Sequence, residues 1–301
     1  MEKVPFRVSP MLATLVERPF SKAGWVFEEK YDGVRMLAYK EDSKVTLISR
    51  NGIDRSMRYP TIAAEIATIK AKTLVLDGEI VVFDSDKISR FQLLQGSAGE
   101  AQYVVFDCLY ENGKDLRREA LSVRRKSLEK VMKPGPIVVV AKRLADDGVK
   151  AFEIATRRGL EGVIGKDSAT SYAEGRSSAW LKVKINQQEE FVIGGFTAPA
   201  GSRNHFGALL LGAFRGNDLR YVGKVGTGFD EVRLGSLHRK MKTLVRTTSP
   251  FSSDVSEKGA TFVSPKLVAQ VAFTERTKEG KLRHPVFLGL RDDKSAREVR
   301  Q

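Results

Sequence analysis

Cysteine is almost absent from this 301-residue chain: Cys108 is the only one, so no intrachain disulfide and no thiolate-rich zinc site is open to it. It sits in the apolar run Val104-Val105-Phe106-Asp107-Cys108-Leu109, which reads as a buried structural thiol. Histidine is nearly as scarce, limited to His205, His238 and His284, which argues against acid–base chemistry built on imidazole. No stretch approaches the roughly 18 apolar residues of a membrane span. The N-terminus, Met1-Glu2-Lys3-Val4-Pro5-Phe6, lacks the basic and apolar regions of an export signal, so a cytoplasmic, reducing setting without membrane contact is expected. A Gly-x-x-x-x-Gly-Lys-Ser/Thr phosphate loop is missing. Gly223-x-x-Gly226-x-Gly228 does not have the dinucleotide-binding spacing and reads as a tight turn. Internal repeats and low-complexity segments are absent too.

What remains is an ordinary globular composition, 42% hydrophobic and 29% charged, long enough for two domains. The balance is basic, with a net charge of +14. That favours a polyanionic partner, nucleic acid first. From Ile185 to Gln301 there are 19 Lys/Arg against 12 Asp/Glu, a net +7 over 117 residues. The first 184 residues also carry +7, so the C-terminal part is the more densely basic.

Pro5, Pro10 and Pro19 mark residues 5–20 as an extended arm. Strand signals follow at Trp25-Val26-Phe27, at 34–39 and at 45–48, the last two forming a hairpin around 40–44. Lys30 therefore lies in a loop between strands, with Asp32-Gly33 as turn residues. A helix is expected from Pro60, and two strands at 74–76 and 80–83 bracket Asp77-Gly78-Glu79. Strands follow at 103–109 and 137–140, with an amphipathic helix over 121–131 between them. A further helix over 149–158 is stopped by Gly159. A strand at 180–184 closes the region. The polar stretch Asn186-Gln187-Gln188-Glu189-Glu190 is the expected boundary. Beyond it, five short strands and one helix suit a small closed barrel such as an OB-fold.

Polar clusters gather at the predicted strand ends: Lys30 with Asp32 and Arg35, Ser49-Arg50-Asn51-Gly52, Asp77-Gly78-Glu79, and Glu161 with Lys166. Lys182 and Lys184, two apart on a strand, point to one face. If that face is inward, the pair calls for an anion such as phosphate. A nucleophilic lysine must lose its proton, which its ordinary pKa of about 10.4 forbids near neutrality. Arg35, Lys166, Lys182, Lys184 and a metal on Glu161 are expected to lower it. Asp77 and Glu79 are candidate acceptors for ribose hydroxyls or for a metal-bound water.

Taken together, and in this order, Lys30-Tyr31-Asp32-Gly33-Val34-Arg35, Ser49-Arg50-Asn51-Gly52, Asp77-Gly78-Glu79, Val105-Phe106-Asp107, Glu161-Gly162-Val163-Ile164-Gly165-Lys166, Leu181-Lys182-Val183-Lys184 and Arg291-Asp292-Asp293-Lys294 resemble the motifs of the covalent nucleotidyltransferases. The chain is most similar to the ATP-dependent DNA ligases of the bacterial end-joining type, such as the ligase module of ligase D. His205 to Gly212 also resembles the start of that module's barrel. The resemblance implies an α+β fold: an adenylation (nucleotidyltransferase) domain over residues 1–186, with ATP-grasp-like antiparallel sheets and flanking helices, then an OB-fold barrel over 187–301. It implies that Lys30 takes AMP from ATP, assisted by Lys182 and Lys184 at the α-phosphate. Glu79 and Arg35 hold the ribose, Phe106 stacks on adenine and Glu28 lies at the adenine edge. Lys166 and Arg50 complete the nucleotide contacts, and Arg291 and Lys294 orient pyrophosphate. Glu161 binds Mg²⁺, with Mn²⁺ as a substitute. Only 29 residues precede Lys30, too few for a nicotinamide-recognition domain, so ATP is the expected donor. The implied substrate is nicked duplex DNA, acted on by a monomer, either in end joining with a Ku-like end-binding protein as a partner or equally in excision repair. An RNA ligase or a capping guanylyltransferase is the alternative within the superfamily.

Overall fold

Strands dominate the chain, as its many short β-branched and aromatic runs require, and helices are few. The computed structural model describes residues 4–94, 101–132, 135–185, 188–199, 204–277 and 279–300. The chain divides into two units, Met1–Asn186 and Gln187–Gln301.

In the first unit the elements run β1 (Met11–Leu15), β2 (Trp25–Glu29), β3 (Val34–Glu41), β4 (Lys44–Ser49), α1 (Pro60–Ala67), β5 (Thr73–Val81), α2 (Phe91–Leu94), β6 (Gln102–Glu111), β7 (Lys114–Asp115), α3 (Leu121–Val131), β8 (Val138–Val140), β9 (Arg143–Ala145), α4 (Gly148–Arg158), β10 (Gly162–Asp167) and β11 (Gly175–Lys184). One sheet has the order β1-β11-β10-β2-β9, and the other β4-β3-β5-β6-β7 with β8 beside β6. Most pairings are antiparallel, but β1 runs parallel to β11 and β8 parallel to β6. The sheets are thus mixed rather than wholly antiparallel. Parallel neighbours need a long crossover, supplied for β6 and β8 by α3 and for β1 and β11 by most of the unit. Within the arm expected over 5–20, Met11–Leu15 is the strand β1 and the rest has no regular structure, with Arg7 at φ +62°.

Alternation along the strands sorts side chains into three cores. Met36, Ala38, Leu74, Leu76 and Ile80 point to one side of the second sheet, under Ile62 and Ile66 of α1 and Leu128 of α3. Leu37, Tyr39, Val75, Val81 and Phe106 point to the other side, where they meet Met11, Tyr172 and Trp180. Trp25, Phe27 and Val163 face outward from the first sheet onto Ala151 and Ala155 of α4. The unit is therefore layered helix, sheet, sheet, helix, with an inner face on each sheet. Cys108 is fully buried, and burial pushes its thiol up to about 12, so it is an inert packing group.

Asp77-Gly78-Glu79 was expected at strand ends. It lies instead within the continuous strand β5, with a bulge between Asp77 and Gly78. Gly78, which reads as a breaker in sequence, is required because a Cβ there would lie 2.5 Å from the Tyr103 ring.

The second unit contains β12 (Gln188–Thr197), β13 (Leu209–Arg215), β14 (Asp218–Val225), α5 (Glu231–Lys242), β15 (Val245–Arg246), β16 (Ala260–Ala272), β17 (Glu275–Arg276), β18 (Leu282–Arg283) and β19 (Val286–Leu290). A six-stranded sheet has the order β14-β13-β12-β16-β15, with β19 pairing β16, and β17 and β18 form a separate ribbon. Its core, including Phe191, Ile193, Leu210 and Val271, is closed by Leu234, Leu237 and Met241 of α5. Of the expected boundary stretch, Asn186 and Gln187 lie outside the described residues, and Gln188 to Glu190 already belong to β12. Among the described residues no helix is long and apolar enough to cross a membrane.

Candidate active site

Antiparallel register places the basic residues of the first sheet side by side. Glu28 pairs with Ile164, and Ile164 with Lys182. One row further along, the Lys30 amide donates to the Gly162 carbonyl at 3.0 Å, and Gly162 pairs with Lys184. One row back, Lys166 pairs with Trp180. Because directly opposed residues point to the same face, Glu28, Lys166, Lys182 and Lys184 share the inner face with Trp180. Lys30 and Glu161 stand at its end, where they form an ion pair. Gly162 allows this close packing, since a Cβ there would lie 2.2 Å from the Val183 carbonyl oxygen. The turn after Lys30 is tied down by Asp32, whose amide donates to Ser89 Oγ at 3.0 Å and whose carboxylate accepts from the Phe91 amide at 3.2 Å.

The inner face of the second sheet brings Arg35 opposite Glu79, and Glu79 opposite Val104. Arg35 is held by Asp77 through two hydrogen bonds of 2.6 and 2.7 Å, and it also donates to the Met11 carbonyl at 3.1 Å. Tyr172 donates to Asp77 at 2.7 Å. Arg50 sits in the turn after β4, beside Gly52 at φ +76°, at the end of β4 where Ser49 pairs with Met36. Phe106 is buried, with the Arg35 guanidinium 4.6 Å and the Lys166 ammonium 4.2 Å from its ring centroid. Lys166 also donates to Glu28 at 2.6 Å. Trp180 packs edge-on against Phe106, and its buried indole N–H has no hydrogen-bond partner.

The electrostatics correct the expectation for Lys30. Burial disfavours its ammonium, but contact with Glu161, aided by Asp32 and Glu79, outweighs burial, and Lys30 titrates above the ordinary lysine range. The cations expected to lower it are engaged elsewhere: Arg35 by Asp77 and Lys166 by Glu28. Lys166 itself is lowered, first by burial and then by the Arg125 charge. Asp77 is likewise not the ribose acceptor anticipated, because it is fully buried and used by Arg35 and Tyr172. Glu79, by contrast, is partly exposed and faces Arg35 across the register.

Glu29 points the other way, toward α4, with one buried carboxylate oxygen lacking a hydrogen bond and Arg158 at 3.8 Å from the other. Burial lifts its pKa from 4.5 to about 7, against the opposing Arg158 charge. The folded state therefore holds a proton that the unfolded chain has lost. Its stabilising effect is complete below pH 4.5 and disappears as pH rises through 7, about 3 kcal/mol in all. Glu29→Gln is expected to flatten that decline and raise the urea midpoint at pH 8. An unchanged pH slope in the variant would refute the assignment.

Each predicted site residue of the first unit lies on an inner sheet face or at its Lys30 end, except Arg50, which is at a turn. Arg291 and Lys294 belong to the second unit. There Arg291 makes two 2.8 Å hydrogen bonds to Asp293 and one to Gln270, and Lys294 pairs with Glu190. Sequence reasoning missed Tyr172, Trp180, Arg124 and Arg125. Arg124 is wholly buried against Asp107 at 2.8 Å. Arg125 was detectable, since it stands four residues after Leu121 and three before Leu128 on the apolar stripe of its helix, where an arginine needs a buried partner.

The chain is similar to known proteins over nearly its whole length. A family model described as "ATP dependent DNA ligase domain" matches residues 10–184, and one described as "ATP dependent DNA ligase C terminal region" matches residues 202–294. The multifunctional non-homologous end joining protein LigD of Pseudomonas aeruginosa is 39% identical over 98% of this chain, which spans 37% of that protein. A DNA ligase of Saccharolobus islandicus is 29% identical over 99% of the chain and 58% of its own length. A solved mycobacterial DNA ligase D, complexed with ATP and MES, covers 98% of both chains at 35% identity with a TM-score of 0.74. The chain belongs to the ATP-dependent DNA ligase family.

Proposed function

We propose that this chain joins a 5′-phosphate to a 3′-hydroxyl at nicks in duplex DNA, through AMP carried on Lys30. The observation that carries this reading is one lysine, ion-paired to Glu161 and with 18% of its side chain exposed, at the end of a face that also bears Lys182 and Lys184. In the first step Lys30 Nζ, once deprotonated, attacks the α-phosphorus of ATP. A P–N bond forms and pyrophosphate leaves. A DNA 5′-phosphate oxygen then attacks the same phosphorus, returns the lysine and makes a pyrophosphate link to AMP. The 3′-hydroxyl finally attacks the DNA phosphorus, loses its proton and expels AMP. Such transfers depend on positioning and charge neutralisation. Lys182 and Lys184 supply both at the α-phosphate, Glu79 and Arg35 flank the ribose, and Arg50 meets sugar or nick phosphate. Arg291 and Lys294 act on pyrophosphate, and the second unit is read as an OB-fold.

Among the described residues no cluster of three potential ligands exists, so a metal here would rest on Glu161 and on substrate oxygens and water. That sparse set suits Mg²⁺, with Mn²⁺ able to replace it, and such a cation would neutralise the carboxylate that holds Lys30 protonated. The LigD relatives are named for end joining, and we extend that setting, with a Ku-like partner, to this chain.

Mass spectrometry before and after pyrophosphate treatment tests the reaction class, which stands if a removable AMP adduct maps to Lys30. Labelling by GTP but not ATP, or sealing of nicked RNA alone, would favour the other superfamily activities. Lys184→Ala is expected to slow sealing by roughly 10² or more with little change in thermal stability. Full sealing by the variant at saturating ATP would contradict its phosphate role. With a net charge of +14, DNA affinity should fall roughly as a power of salt concentration. Binding that is flat between low and physiological salt would exclude phosphate contacts as its main source.

A further inference from the structure

Glu28 is 2% exposed, and a carboxylate buried that deeply needs cations to meet it. Two do so. Lys166 Nζ lies 2.6 Å from Oε2, and Arg125 Nη1 lies 3.2 Å from Oε1. They are not equivalent. The Lys166 ammonium lies 4.2 Å from the Phe106 centroid and 4.4 Å from that of Trp180, against the aromatic surface on which a purine would stack. A base stacking there competes with it. Arg125 is fixed from behind, donating to the carbonyls of Ala141 at 2.8 Å and Phe106 at 3.3 Å, and it is 6% exposed. One guanidinium on α3 thus ties β6, which carries Phe106, to β2, which carries Glu28. The Glu28 Oε1 atom is itself buried and accepts no well-directed hydrogen bond, so its acceptor capacity is left for a group that enters beside it.

We propose that Arg125 is a positioning residue for base selection: it holds Glu28 as an oriented, acceptor-only carboxylate, which accepts from the exocyclic amino group of adenine and repels the carbonyl that guanine presents at the same edge. This rests on the ligase reading above, with Glu28 at the edge of the base. An ionised carboxylate has no proton to offer a carbonyl, so discrimination follows from its charge state and its aim. Arg125 sets the aim without touching the nucleotide.

The test is self-adenylation of the full chain with α-labelled ATP and, separately, GTP. Wild-type protein that takes label from neither would overturn the ligase reading itself, before any variant is considered. Given wild-type labelling by ATP, Arg125→Met is expected to raise KM for ATP roughly tenfold or more, to change kcat less, and to narrow the ATP-over-GTP preference. Arg125→Lys should recover part of both. Leu128→Ala, a buried apolar truncation on the same helix, is the stability control and should leave KM and preference unchanged. Should Arg125→Met not fold, Glu28→Gln reads the same property, since its amide can donate to a carbonyl, and GTP labelling should gain on ATP. An unchanged ATP/GTP ratio in Glu28→Gln, or an Arg125→Met defect matched by Leu128→Ala, would overturn the proposal.

Discussion

Lys30→Ala protein is expected to carry no covalent AMP under any ATP concentration, and to seal a plain nick no faster than background. The reason is local. Lys30 is the lysine that directly follows β2, fixed by its amide on Gly162 and by Glu161 at its ammonium. Lys182 and Lys184 share the sheet face but project from the last residues of β11, and Lys166 is committed to Glu28. None of them can take over the nucleophile's position without moving a strand. The same variant should still seal a nick that already carries AMP on its 5′-phosphate, because in the proposed mechanism the bond to the lysine is broken before that step. Intact-mass measurement and a pre-adenylated nick read the two halves separately. An adduct persisting in the alanine variant would remove Lys30 from the mechanism.

Asp77→Ala is the second large effect, and it is a stability effect first. Asp77 is fully buried and its carboxylate answers Arg35 twice and Tyr172 once. Removing it leaves a guanidinium with 16% of its side chain exposed and without its two-pronged partner, with only the weaker influence of Glu79 to offset its charge. Breaking such a pair costs about 3–5 kcal/mol, which for a unit of this size lowers Tm by roughly 10 °C. Glu79→Ala, two residues along the same strand but partly exposed, should cost little stability and instead raise KM for ATP. The pair of variants separates a strut from a ribose ligand. If Asp77→Ala melted like the wild type while losing nucleotide binding, the assignments would be reversed.

Residue types, spacing and order made the likeness to ligases and the polar motifs, the candidate nucleophile among them, legible in the sequence. Gly159 reads as a helix stop, and it is one, at φ +69°. Less legible were the short strands β1 and β9, whose pairing partners lie far along the chain and leave no local periodicity, and β10, one of whose two partners, β2, is equally remote. Asp77 and Glu79 look alike in sequence and differ by burial alone, which depends on a tyrosine 95 residues away. The partners of Arg124 and Arg125 are equally remote, so their burial shows in sequence only as a charge on an apolar stripe.

The sequence by itself determined which chemistry is available: one lysine motif, carboxylates and basic residues on alternating strand positions, and almost no histidine or cysteine to support another mechanism. Tertiary structure decided how those groups are charged and which are free to act. Lys30 is held protonated by Glu161 because antiparallel register sets the end of β2 against the start of β10. Pairing register and burial set local charge balance, and neither is encoded within any single motif.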